Sequence, residues 1–305
     1  MLAAAILPTL ILSPIPAHLT NPRYLYLPLL ATAAGYAIAF DAILVAFANS
    51  RWARAIVWLA LALFIFFNSA TIGERIENRA GFTRQLRQQF RAIYQTHPTV
   101  APGTYLYFLE MPLQTLDISG LMFLRYGANV TVNGIDQPRD AALQNHSAAF
   151  VYYYDEPGRF KEQAVQPNAT VEVALPIQFE NSIALEKIEI VNTTARRGEA
   201  FIAILHWRAA QRPARDYTLF AHLTTAAGAS IAGADSQPQR GRAPTTTWRA
   251  RQRVLDYLII PIDADVPPGE YQVQIGWYDL QTMQRLARAD ASGDTILLGS
   301  FRVIE

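Results

Sequence analysis

AFIAILHW, residues 200–207, is one of a series of short β-branched or aromatic runs that occupy the C-terminal half of the chain. The others are Val171–Leu175, Ile183–Val191, Tyr217–Leu223, Val254–Pro261, Tyr271–Tyr278 and Thr295–Val303. Turn residues separate most of them: Arg197-Gly198, Pro213, Gly228, Gly241, Pro267-Pro268-Gly269 and Ser292-Gly293. Roughly seven short strands within about 140 residues, with no intervening helical pattern, predict an antiparallel immunoglobulin-like β-sandwich over 165–305. A parallel sheet would need crossover helices between the runs.

Upstream, 99–160 reads as a small α/β unit. Tyr105–Leu109, Asn129–Asn133 and the aromatic Ala148–Tyr154 are strand-like, and Asp117–Tyr126 is a short helix. So small a unit buries little core of its own. It is expected to pack on its neighbours. Residues 74–98 repeat Ile76, Phe82, Leu86, Phe90 and Ile93 at helical spacing, with Arg75, Arg79, Arg84, Arg87 and Arg91 on the other side. This pattern predicts an amphipathic stalk helix, resting either on anionic headgroups or on the next unit.

The first 73 residues read as a membrane region. Ala55–Gly73, AIVWLALALFIFFNSATIG, carries no charge and is long enough to cross a hydrocarbon core of about 30 Å. Tyr24–Ala48 is a second apolar run, interrupted only by Asp41. Residues 2–16 read either as a signal segment or as the end of a span whose beginning is missing, the latter favoured. Asp41 is an intramembrane polar candidate, because a carboxylate is costly there. The plainer reading has it near the end of its helix or beside Arg51 and Arg54. Those two arginines mark a cytoplasmic connector, which places everything after Gly73 outside the cell. The expected location is a multi-pass cell-membrane protein with extracytoplasmic C-terminal domains, and the lipid bilayer is an expected partner.

The totals exclude several chemistries. Among 305 residues there is no Cys, so disulfides, thiol catalysis and Cys-bound zinc are absent. A net charge of +1 gives no electrostatic footprint for nucleic acid. Charged residues make up 17%, below the roughly 25% usual for soluble domains. No glycine-rich phosphate loop or G-x-S-x-G turn occurs, and no cofactor is expected.

Two stretches resemble known families. Asn21–Pro28, NPRYLYLP, resembles a segment late in the membrane region of polytopic glycosyltransferases similar to the polyprenyl-phosphate-mannose protein mannosyltransferases. Residues 205–223, Asp235–Pro238, Pro244–Trp248, 267–279 and Arg285-Leu286 resemble the β-sandwich appended to bacterial membrane glycosyltransferases of Chloroflexi type. The resemblance implies transfer of a sugar from a polyprenyl-phosphate donor. Such enzymes place catalytic acids in an early outer loop, and no acidic residue precedes Asp41 here. The chain is therefore expected not to catalyse alone. The resemblance implies a C-terminal portion of such an enzyme, or a relative that has lost its catalytic half, expected to position an acceptor, polysaccharide or glycoprotein, beside the missing catalytic membrane half. The alternative is an anchored glycan-binding or scaffold protein with no enzymatic partner.

Within the sandwich, Trp248 lies in the polar, Arg-rich stretch 240–253 and is the candidate glycan platform, flanked by Arg249 and Arg251. Trp207 and Trp277 alternate with core positions and are expected to point inward. His206 and His222 lie in strands, where a satisfied, partly buried histidine is the expectation. Asp263 and Asp265 form a D-x-D that turn composition explains, and no metal is assigned. Asp235, Asp256 and Asp279 are weighed as hydrolytic carboxylates and set aside as turn acids.

Overall fold

The computed structural model describes residues 35, 38, 41–46, 50–52, 55–59, 62–63, 66, 84, 86–110, 115–137, 142–155, 158–167, 169, 174–180, 182–290 and 292–305. The chain forms two compact units, Met1–Arg91 and Ala92–Glu305.

In the second unit the alternation of side chains dictates three sheets. The first comprises β1 (Thr104–Phe108), β2 (Val130–Gly134), β3 (Ala148–Tyr154) and β4 (Phe160–Ala164), in the order β2-β1-β3-β4. β1 runs parallel to β2 and to β3, and helix α1 (Thr115–Tyr126) makes the β1-to-β2 crossover. The second sheet is antiparallel and has the order β11-β8-β6-β5: β5 (Ile177–Phe179), β6 (Ile183–Ile190), β8 (Ala200–Ala209) and β11 (Arg253–Pro261). The third has the order β10-β9-β12-β13-β7, from β7 (Thr194–Arg196), β9 (Tyr217–Thr224), β10 (Ser230–Ser236), β12 (Gly269–Asp279) and β13 (Thr295–Ile304). Its last pair, β13 with β7, is parallel.

The second sheet is buried on both faces. Phe201, Ala203, Leu205 and Trp207 of β8 pack with Val273, Ile275, Trp277 and Phe301 of the third sheet. The alternate residues Ala200, Ile202 and Ile204, with Tyr257 and Ile259 of β11, pack against Tyr105, Tyr107, Val151 and Tyr153 of the first sheet. The small α/β unit thus completes its core on the sandwich. This explains why residues 200–205 are apolar without interruption, whereas a sheet with one wet face shows strict alternation.

The expectation of membrane helices is corrected. Among the described residues no helix is long and apolar enough to cross a membrane. Residues 2–16 lie outside the described residues, as do most of 24–48 and part of 55–73. Described helical residues there include 41–46 and 55–59, and Val45, Ile56, Leu59 and Phe66 are exposed. Lack of charge meets only the solvation requirement of a span. Crossing also needs about 20 residues in one continuous helix, which composition does not fix. The fold class is accordingly mainly β, and it is not wholly antiparallel. The reading as a transmembrane, glycosyltransferase-like membrane chain loses its structural support, and so does the multi-pass, extracytoplasmic placement. Of the stalk helix, residues 84 and 86–96 are helical; 74–83 and 85 lie outside the described residues.

Candidate functional site

Along three strands of the middle sheet the face under the first sheet changes from apolar to polar. On β8, Ile202 and Ile204 give way to His206 and Arg208; on β11, Ile259, Tyr257 and Leu255 give way to Arg253. On β6 the same face carries Glu189 and Lys187, the latter in register with His206. A β-bulge between Leu185 and Lys187 adds one residue, Glu186, to this end of the sheet. Bulges re-aim side chains, and both Glu186 and Lys187 line the cleft that opens here.

The cleft has a volume of about 900 Å³. Ile135, Asp136 and Gln137, which follow β2, form one wall. Gln239, Arg242, Thr247 and Gln252 of the long β10–β11 connection form another. His206 Nε2 lies 2.8 Å from Glu189 Oε1, and Lys187 Nζ is 3.2 Å from the same oxygen. The backbone N–H of Leu143 donates to Glu189 Oε2 at 2.9 Å. Glu189 is 3% exposed, so a buried carboxylate with three donors fixes the histidine at the rim. Glu186 pairs with Arg208 at 2.7 Å and with Arg253 at 3.0 Å. Those two arginines face each other directly across the β8–β11 pair.

The β10–β11 connection is fastened to both layers. Gln239 (φ 52°) and Arg240 (φ 53°) are left-handed, a conformation that side chains resist. The Gln239 N–H donates to Asp256 Oδ1 at 2.7 Å, and Gln239 Nε2 donates to the Leu255 carbonyl at 2.7 Å. Arg240 pairs with Glu110 at 3.3 Å, and Arg242 donates to the Leu109 carbonyl and to Tyr257 Oη. Tyr257 Oη also bonds Glu110. Asp256 is 1% exposed. Burial pushes its carboxyl up to about 6, against the opposing pull of the Gln239 and Tyr257 N–H groups, the Trp207 indole and Arg242.

The structure rearranges the sequence candidates. Trp248 is 1% exposed. Its Nε1 donates to the Ala243 carbonyl at 2.9 Å, and its ring meets Trp277 edge-to-face. It is a core residue that also contributes to the cleft lining, not an exposed platform, because its ring packs against Trp277 inside the sandwich. Arg249 is exposed, and its backbone N–H donates to Gln252 Oε1 at 2.8 Å. Arg251 is left-handed (φ 66°), and its backbone N–H donates to the Ala209 carbonyl at 2.7 Å. Neither arginine side chain lines the cleft. Asp41 is an exposed helical residue of the first unit. Asp263 and Asp265 sit in an exposed turn, and among the described residues no group of three or more His, Asp or Glu could hold a metal ion. Asp235, Asp256 and Asp279 bond different partners: Tyr278, the Gln239 N–H and Arg215 respectively. Sequence reasoning missed Lys187, Glu189, Gln239 and Arg242. The usable signal was the change at His206 from residues buried on both faces to one polar face.

No protein-family model matches the chain, and no curated protein matches it. Solved structures similar to it include the C-terminal domain of Wzt, at 10% identity and TM-score 0.33, over 46% of this chain and 81% of that one. Another is the CARDB domain of the Pyrococcus furiosus PF1109 protein in complex with di-metal ions, at 5% identity and TM-score 0.25, over 42% and 94%. A third is a Niemann-Pick type C2 protein from the Japanese carpenter ant, at 6% identity and TM-score 0.25, over 44% and 98%. Likeness at this level carries no argument about function.

Proposed function

We propose that the second unit is a non-catalytic binding module for a carbohydrate chain, which it holds in the cleft between the first sheet and the sandwich. The observation that carries this reading is the lining. Gln137, Gln239, Gln252, Arg242 and Lys187 offer donors, and Asp136, Glu186, His206 and the glutamine carbonyls offer acceptors. A polyol needs both kinds, because each hydroxyl donates and accepts. The volume suits a short saccharide segment. The sequence resemblance in 205–286 supports a place beside an enzyme that transfers sugars from a polyprenyl-phosphate donor, with the module holding the acceptor.

The test is calorimetric titration of the full chain with gluco-, manno-, galacto- and xylo-hexaoses. At least one should bind. Lys187→Ala and Gln137→Ala should each weaken it about tenfold, the loss expected for one charge-assisted or partly buried hydrogen bond. Arg302→Ala, on β13 of the third sheet, should leave it unchanged. Absence of binding to all four sugars would refute the proposal.

A further inference from the structure

His206 is set to do more than line the cleft. A carboxylate has only lone pairs to offer, so the ring nitrogen 2.8 Å from Glu189 Oε1 carries the hydrogen. In a neutral imidazole the other nitrogen, Nδ1, is then an acceptor. Nδ1 has no hydrogen-bond partner among the described residues, and His206 borders the cleft. Glu189 is itself held rigidly: it is buried, its Oε2 takes the Leu143 N–H, and its Oε1 also takes the Lys187 ammonium. Across the β6–β8 pair, Lys187 is the register partner of His206. The cleft therefore sets a fixed acceptor beside a charged donor, in the one place where the polar face begins.

Resting on the carbohydrate reading above, we infer that His206 Nδ1 and Lys187 Nζ together read one free hydroxyl of the saccharide, with Glu189 as the positioning residue. The hydroxyl donates to Nδ1 and accepts from the ammonium. An O-methyl or O-acetyl group at that position has no hydrogen to donate and is rejected. A phosphate or carboxylate ligand is disfavoured, since it would set two acceptors against each other at Nδ1.

Two readouts test the role of His206. Histidine ¹⁵N spectra of the full-length chain at pH 8 should show His206 with its hydrogen on Nε2. A hydrogen on Nδ1, or on both nitrogens, overturns the inference without any ligand. The second readout is titration with the hexaose that binds best among the four named above, and with its per-O-methylated form. Wild type should bind the free sugar and lose at least tenfold on methylation. Glu189→Gln leaves a single amide oxygen for three donors, His206 Nε2, Lys187 Nζ and the Leu143 N–H, so the hydrogen on Nε2 is no longer fixed by a full carboxylate. It should shift the ¹⁵N pattern and weaken binding at least tenfold. His206→Ala, which keeps Glu189 bonded to Leu143 and Lys187, should weaken binding at least tenfold if Glu189→Gln fails to fold. A wild-type chain that binds none of the sugars overturns both proposals. Binding that survives in both variants overturns the role of His206 alone and leaves the module standing.

Discussion

At the residue scale, Asp256 makes the sharpest solution prediction. Its folded carboxyl titrates near 6, raised by burial, whereas an unfolded aspartate titrates near 3.9. Between about pH 4 and 6 the folded protein therefore holds a proton that the unfolded chain has released. Stability is highest below that window and falls as pH rises through it, by up to about 3 kcal/mol, then stays level with respect to this group. Asp256→Asn keeps an acceptor for the Gln239 N–H and removes the charge. Urea unfolding at pH 4, 5, 6 and 7 should show the wild-type decline flattened in the variant. A decline of equal size in both would assign it to other groups. Trp248 makes a different prediction. Because its ring fills the sandwich core, Trp248→Ala should cost about 3–5 kcal/mol in urea unfolding. A variant with unchanged stability would return it to the surface role that its Arg-rich neighbourhood suggested. At Arg251 the left-handed backbone is the constraint, so Arg251→Gly should be neutral to stabilising by up to about 1 kcal/mol, with sugar binding unaffected.

At the scale of elements, the bulge in β6 and the glycine in β12 show how single positions shape a sheet. Arg208 and Arg253 are directly opposed, an arrangement that costs stability when unscreened. Glu186, the extra residue of the bulge, pairs with both. Glu186→Ala should destabilise by roughly 0.5–1 kcal/mol in low salt and by much less at high ionic strength. A loss independent of salt would point to packing instead. On β12, a Cβ at Gly276 would lie 2.5 Å from the Asp294 carbonyl oxygen, in backbone that cannot swing aside. Phe220, its cross-strand partner, lies over the glycine and carries the Arg285 guanidinium 4.5 Å from its ring centre. The strands with one apolar face against the sandwich core were readable from β-branched and aromatic runs. Ser230–Ser236, the edge strand β10, was not, because SIAGADS carries small and polar residues that give no strand signal.

At the scale of the whole second unit, one sheet serves two cores. Ile204 lies under the first sheet, while its neighbours Ala203 and Leu205 face the sandwich interior. The first sheet and the sandwich should therefore unfold together. Ile204→Ala is expected to cost about 2–5 kcal/mol and to shift the tryptophan-fluorescence and far-ultraviolet transitions equally. Separate transitions would show that the two layers are energetically independent.

The amino-acid sequence alone determined where most strands of the sandwich and the α1 helix lie, because those signals are local: alternation, β-branching and turn residues act over a few positions. It also excluded cysteine chemistry outright. The tertiary structure decided the rest. A strand buried on both faces and an uncharged segment can read alike in composition, and only the packing partners tell them apart. Whether an apolar run is one continuous helix depends on backbone geometry, which the side chains do not specify one by one. The cleft was invisible for the same reason. Lys187, Glu189 and His206 are brought together by strand register, and Gln239 and Arg242 by a loop that folds back from more than thirty residues away, so no spacing along the chain announces them.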